Sequence, residues 1–430
     1  MSTIDRLLDP IVIPKLFRVR QKFDRPVIHD VVEELKSKLH AKDVLAKIKP
    51  GQKVAITIGS RGITNMPLII KTLVEEVKRC GAEPFMVPAM GSHGGATSQG
   101  QREMVIGMGY TEEYIGAPLK SDIEPVQIGV SENGFPVYFD RNAYEADWTI
   151  VANRIKPHVA FRGPVESGLQ KMITIGLGKQ KGADICHELG FGEMAVNIPA
   201  MAKVSLAKAN ILFAVGILEN PFHETCRIEV MFNPEIANLE PVLQEEAKQL
   251  CPRIHFDKLD AIIIDEIGKD ISGTGFDTNV VGRYHTPYIS GGPEVKKIAV
   301  LDVTDVSHGN ANGLGIVDYT TKRAYDKFSF EHTYPNALTS TVPLSVKIPM
   351  VLKNDKQAIQ ACIKTCNRLD KENVTLLRMK NTNQLGEIEV SISLRGYIEA
   401  HPNLEIISEP YDLSFDSQGN LFFMTTHCPI

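Results

Sequence analysis

Four residues with chemistry to offer stand in glycine-rich surroundings. His93 lies within Gly91-Ser-His-Gly-Gly95, and His158 within Asn153-Arg-Ile-Lys-Pro-His-Val-Ala-Phe-Arg-Gly163; Lys171 and His187 follow. An imidazole in such a loop is a general acid or base near neutral pH, or else a helix cap or a solvated side chain. The glycines let backbone amides approach a ligand closely. Pro157 stiffens the turn that aims His158. Two bases on separate loops suit a substrate carbon worked from both faces, as interconversion of enantiomers requires. Lys171, near Gly176, Gly178 and Gly182, reads as a phosphate anchor, a covalent attachment point or an exposed helix lysine. His187, beside Cys186, has the donor for a soft metal, yet a lone imidazole is a poor metal site and no paired Cys-x-x-Cys supports it.

Elements must hold these residues. The run 53–58 reads as a strand ending in Gly59-Ser60-Arg61-Gly62, with a helix opening at Pro67 and continuing to Cys80. Residues 83–90 and 147–152 are further strands, with a helix over 98–109 between them. Arg61, His93 and His158 then each follow the C-terminal end of a strand, the edge at which open α/β sheets bind ligands. The pattern restarts with an amphipathic helix around 239–250 and strands over 258–265 and 297–304. Glycine-rich loops follow both strands, at 268–275 and 307–315. The expectation is two α/β domains with mainly parallel sheets and a site in the cleft between them. Residues 1–255 form the catalytic and cofactor-binding domain, 256–430 the C-terminal one. Residues 411–423 read as a hairpin turning at 418–420.

With 430 residues, 43% hydrophobic, 23% charged and a net charge of -5, the chain has the balance of a globular protein without a basic field. Nucleic acid and anionic membranes are not expected partners. The N-terminus has no signal-peptide pattern, and no apolar run reaches membrane-spanning length. Seven scattered cysteines (80, 186, 226, 251, 362, 366, 428) fit a reducing, cytoplasmic setting, with Cys362 and Cys366 on a buried helical face. A Walker loop and a Gly-x-Ser-x-Gly elbow are absent, and Gly273-Thr-Gly275 lacks the third glycine of a dinucleotide fingerprint.

Taken together, Gly91-Ser-His93, Pro157-His158, Lys171 and His187 sixteen residues later resemble the lactate racemase family, over most of the chain. Its members use a nickel-pincer nucleotide (pyridinium-3,5-bisthiocarboxylic acid mononucleotide nickel). The resemblance implies attachment of that cofactor at Lys171 and nickel ligation by His187, the cofactor supplying the other ligands. It further implies His93 and His158 as the acid/base pair for proton-coupled hydride transfer on a 2-hydroxy acid. Ser60, Arg61 and Gly91 would bind the cofactor, and Arg61 could meet the substrate carboxylate instead. Cofactor-synthesis proteins are the implied partners. There are departures from the family pattern. The stretch from His158 to Lys171 is longer, Gly59 or Ser60 replaces an Asp, and the Gln and Lys that hold lactate give way to Ser272-Gly-Thr-Gly-Phe-Asp-Thr-Asn279. Asn279 or Arg283 would then contact the substrate, and a larger or more polar 2-hydroxy acid fits better than lactate. Net alcohol oxidation with the same cofactor, and nucleotide binding without turnover, are the alternative readings.

Overall fold

The computed structural model describes residues 2–422 and forms two compact units. One comprises residues 24–251 and 338–341; the other joins the residues before Asp24 to 252–337 and the chain from 342 onward. The first strand, β1 (Leu16–Gln21), therefore belongs with the C-terminal part of the chain, not with the domain that follows it in sequence. Its Leu16, Phe17 and Val19 are buried, and it pairs antiparallel on both sides with strands from the far end of the chain, Leu16 facing Ser391 and Val19 facing Ile406. No local pattern in residues 1–23 announces such a partner.

In the unit of residues 24–251, β2 (Lys53–Ile58), β3 (Glu83–Pro88), β6 (Trp148–Arg154), β7 (Ile211–Glu219) and β8 (Thr225–Phe232) form one sheet. The intervening β4 (Pro125–Val130) and β5 (Pro136–Asp140) make a separate antiparallel pair. The sheet order is β3-β2-β6-β7-β8, parallel except for β8. Val54 through Ile58 are all buried, as befits a strand covered on both faces. The helix Met66–Arg79 buries Ile69, Ile70, Leu73 and Val77, spaced to form one apolar stripe. From β2 the chain runs to β3 on one side and later to β6 on the other. The crevice beyond the C-terminal ends of β2 and β6 is thus the topological switch point, where such sheets take ligands.

The other unit carries β9 (Lys258–Ile267), β10 (Glu294–Val303), β11 (Tyr319–Thr321), β12 (Met350–Leu352), β13 (Leu376–Met379), β14 (Glu387–Ser391) and β15 (Leu404–Ile406). Their order is β12-β11-β10-β9-β13-β14-β1-β15, parallel from β12 to β13 and antiparallel beyond. Cys362 is buried on the helix Asp355–Thr365, and Cys366 is buried at its end. A turn closes at Asp416–Asn420; Phe423 of the expected hairpin and Cys428 lie outside the described residues. No helix among those described is long and apolar enough to cross a membrane.

Candidate active site

The switch point is occupied by the turn that bears Lys171. A short helix, Leu169–Lys171, runs into the π-helical turn Met172–Gly176. Met172 lies over the end of β2: Thr57 Oγ1 donates to its sulfur at 3.2 Å, and a Cβ on Gly59 would sit 3.1 Å from its Cε. Asn153, near the end of β6, donates from Nδ2 to Gly168 O at 2.9 Å. Both strand ends therefore grip the lysine's turn. Lys171 is half-buried, and burial, then the neighbouring Arg61 guanidinium, pushes its amine down to about 8. Arg61 is itself lowered to about 10, by burial and then by Arg154. Arg154 is paired with Glu219, and Arg61 donates to Ser60 O at 2.9 Å. Among the described residues no carboxylate pairs with Arg61 or Lys171. Two partly desolvated cations so placed make a site for an anion.

His187, at the end of the helix Lys179–His187, is pushed down to about 4 by burial, so its ring is neutral near pH 7. Its Nδ1 lies 2.7 Å from Ala183 O; a carbonyl only accepts, so Nδ1 carries the proton and the Nε2 lone pair is available for a metal. Among the described residues no three His, Cys, Asp or Glu side chains gather as a metal cage. The thiol of neighbouring Cys186 is raised to about 12 by burial and is no thiolate ligand. Phe191 packs against both His187 and His158, with ring centroids 5.6 Å from each, and Phe161 lies 4.6 Å from His158. These aromatic rings pack against both imidazoles, which stay half-buried. Sequence reasoning missed Phe191, because an isolated phenylalanine carries no spacing signal.

The acid/base candidates differ in tautomer. His93 Nδ1 lies 2.7 Å from Met90 O and so bears the proton, leaving Nε2 as the basic nitrogen. His158 Nδ1 accepts from Ala160 N at 3.1 Å, so its neutral ring carries the proton on Nε2. Gly91, at φ +58, brings the His93 loop onto the lysine's turn: its N–H donates to Gly176 O at 3.1 Å, and a Cβ there would lie 3.2 Å from Ile175 O. Fully buried Gln101 ties the same loop, donating to Gly91 O at 3.0 Å and His93 O at 3.2 Å.

Residues 18–197, a stretch holding every residue of this site, match the family described as the lactate racemase N-terminal domain. This segment is similar to that family's N-terminal domain. Among solved structures, the lactate racemase apoprotein from Thermoanaerobacterium thermosaccharolyticum is similar, at 13% identity over 82% of this chain and 86% of that one, with a TM-score of 0.46. Among curated proteins nothing matches.

Beyond residues 18–197 stand Arg283 and Asn279, the two residues expected to contact the substrate. Arg283 is bound to Asp318 at 3.0 Å and donates to Val295 O and Lys296 O at 3.0 and 3.2 Å. It is a structural clamp at the start of β10, the opposite end of the strand from the ligand edge. Asn279 stands near the β9 loop, its backbone N–H and Nδ2 both donating to Asp277 Oδ1. The polar atoms concentrated at that edge are others: Lys269, His285 (pushed down to about 4 by burial and then by Lys269), and the buried Ser272 and Asn312.

Proposed function

We propose that the chain is a racemase or epimerase of a 2-hydroxy acid that works with a lysine-tethered nickel-pincer nucleotide. One observation carries this reading. A softened amine, a neutral imidazole with Nε2 open to a metal, and an arginine without a carboxylate partner all border one turn at the switch point, beside two histidines held in opposite tautomers. The residues suit the group. Lys171 would tether it, Nε2 of His187 would complete the nickel's coordination, Arg61 with the neighbouring Ser60 would meet a phosphate or carboxylate, and Gly91 would border the group from the His93 loop. A single imidazole suffices only for a metal that arrives with its other ligands.

When bound, such a cofactor supplies a hydride acceptor for the substrate's α-carbon. The protein's own part is proton handling. Nε2 of His93 takes the hydroxyl proton, and Nε2–H of His158 gives one back when the planar keto acid is reduced on its other face; the reverse reaction exchanges the two roles. Phe161 and Phe191, packed against His158, would fix the plane of its ring for these transfers. Loading of Lys171 would need enzymes that build and insert the cofactor.

The test is intact-mass analysis of protein from a host able to make the cofactor, followed by chiral chromatography against a panel of 2-hydroxy acids. A mass addition present in the wild type and lost in Lys171→Ala, together with formation of the opposite enantiomer without net redox change, is expected. An unmodified Lys171 with no nickel bound sinks the cofactor assignment, and accumulation of the keto acid turns the reading to net oxidation.

A further inference from the structure

The helix Asn233–Gln249 presents polar side chains where an amphipathic helix should be apolar. Glu240 and Gln244 are fully buried, and Lys248 is half-buried; at a spacing of four residues the three share one stripe. Burying such groups is costly unless their hydrogen bonds are made. Glu240 accepts from Leu169 N at 2.5 Å and Gln170 N at 2.9 Å, the two amides that open the turn bearing Lys171. Gly168 allows this approach, since a Cβ there would lie 2.1 Å from Glu240 Oε1. One helical turn on, Gln244 Oε1 accepts from Glu166 N at 3.1 Å. A further turn on, Lys248 meets Glu166 Oε1 at 3.0 Å.

Glu166 is itself fully buried and closes the loop of His158. Its carboxylate accepts from His158 N at 2.8 Å and Gly163 N at 3.2 Å and pairs with Arg162 at 3.3 Å. Lys156 N bonds Ser167 O at 2.8 Å across the base of that loop. The loop that is longer than the family pattern is therefore tied shut by one carboxylate, and that carboxylate is moored to the same helix that caps the lysine's turn.

We propose that Glu240, Gln244 and Lys248 form a positioning stripe that fixes the His158 loop and the Lys171 turn in register with each other. None of the three needs to touch substrate. The function assigned to the stripe rests on the racemase reading above. Burial holds the Glu240 carboxyl up at about 7, and its two oxygens each accept from one amide; a glutamine would keep one acceptor oxygen and turn its NH2, a donor only, toward the other amide.

The experiment compares full-length wild type, E240A, E240Q and Q244A by local hydrogen–deuterium exchange, with the Lys171-loaded fraction read by mass in a cofactor-producing host. In E240A, exchange is expected to rise about tenfold or more over residues 168–176 alone, with the loaded fraction falling by about as much, as loss of a buried hydrogen bond would give. E240Q, which keeps one of the two acceptors, should fall between E240A and wild type in both readouts. In Q244A the rise should be confined to 158–167, which keeps the test decisive if E240A does not fold. Wild-type exchange and loading in E240A, or a rise spread evenly over residues 24–251, overturns the positioning role. A wild-type Lys171 without any mass addition overturns the cofactor reading alone, and the exchange patterns still decide whether the stripe positions the two segments.

Discussion

His93 and His158 are held by unlike contacts, and under the proposed function these contacts decide what each ring does first. A carbonyl at Nδ1 makes Nε2 of His93 an acceptor, while an amide donating to Nδ1 makes Nε2 of His158 a donor. Under the proposed function, a pair held this way takes a proton at one ring and supplies one from the other. It also means that neither ring replaces the other. His93→Ala and His158→Ala should each slow racemisation by about 10²- to 10⁴-fold, the usual worth of one positioned acid or base. Both rings are half-buried on loops, so the melting temperature and the mass addition at Lys171 should stay near wild type. Chiral chromatography of each variant checks this; activity within twofold of wild type in either variant would remove that histidine from the acid/base role.

At the scale of elements, the sheet edge is assembled by buried polar ties as much as by apolar packing. Lys179 shows this best. It is fully buried at φ +57, pairs with Asp140 at 2.8 Å and donates to Pro88 O at 2.6 Å, and so pins the ends of β3 and β5 together. Lys179→Met should cost about 3–5 kcal/mol, because it strands a buried carboxylate, and adding Asp140→Asn should recover part of that loss. Chemical denaturation of the single and double variants measures both; a single variant as stable as wild type would contradict the burial of an intact pair. Elements of this kind differ in how far sequence reveals them. β2, β3, β6, β9 and β10 are legible as apolar, β-branched runs stopped by glycine or polar loops, and the edge that β2, β3 and β6 share brings Arg61, His93 and His158 to notice. Lys179, Glu166 and Glu240 are not legible, since their partners lie in other elements, as far as 91 residues away for Lys179 and Pro88. Arg283 misleads in the opposite sense: its guanidinium suits an anionic substrate, yet Asp318 and backbone carbonyls already hold it.

At the scale of the whole chain, the order of elements along the sequence is not the order in which they fold together. β1 precedes the whole unit of residues 24–251 and yet completes the sheet built from residues beyond 252, lying between β14 and β15. Its register with β14 runs from Leu16 opposite Ser391 to Arg20 opposite Glu387, and Gln21 reaches across to Leu385 O at 2.8 Å. Closing so long a chain segment costs little more entropy than closing one half its length, because the cost grows only with the logarithm of length. Leu16, Phe17 and Val19 supply the burial that offsets it, at about 25 cal/mol per Å² of apolar surface removed from water. Removing residues 2–23 would leave β14 with an unpaired edge and β15 without its strand partner, and expose the core beneath them. Hydrogen exchange on the truncated chain should therefore rise strongly over β13, β14 and β15, while amides in β2, β3, β6 and β7 keep their protection. Equal loss in both sheets would mean that the two units do not hold their stability separately. Unchanged protection in β14 would mean that β1 is an ornament on that sheet, not a strand that completes it.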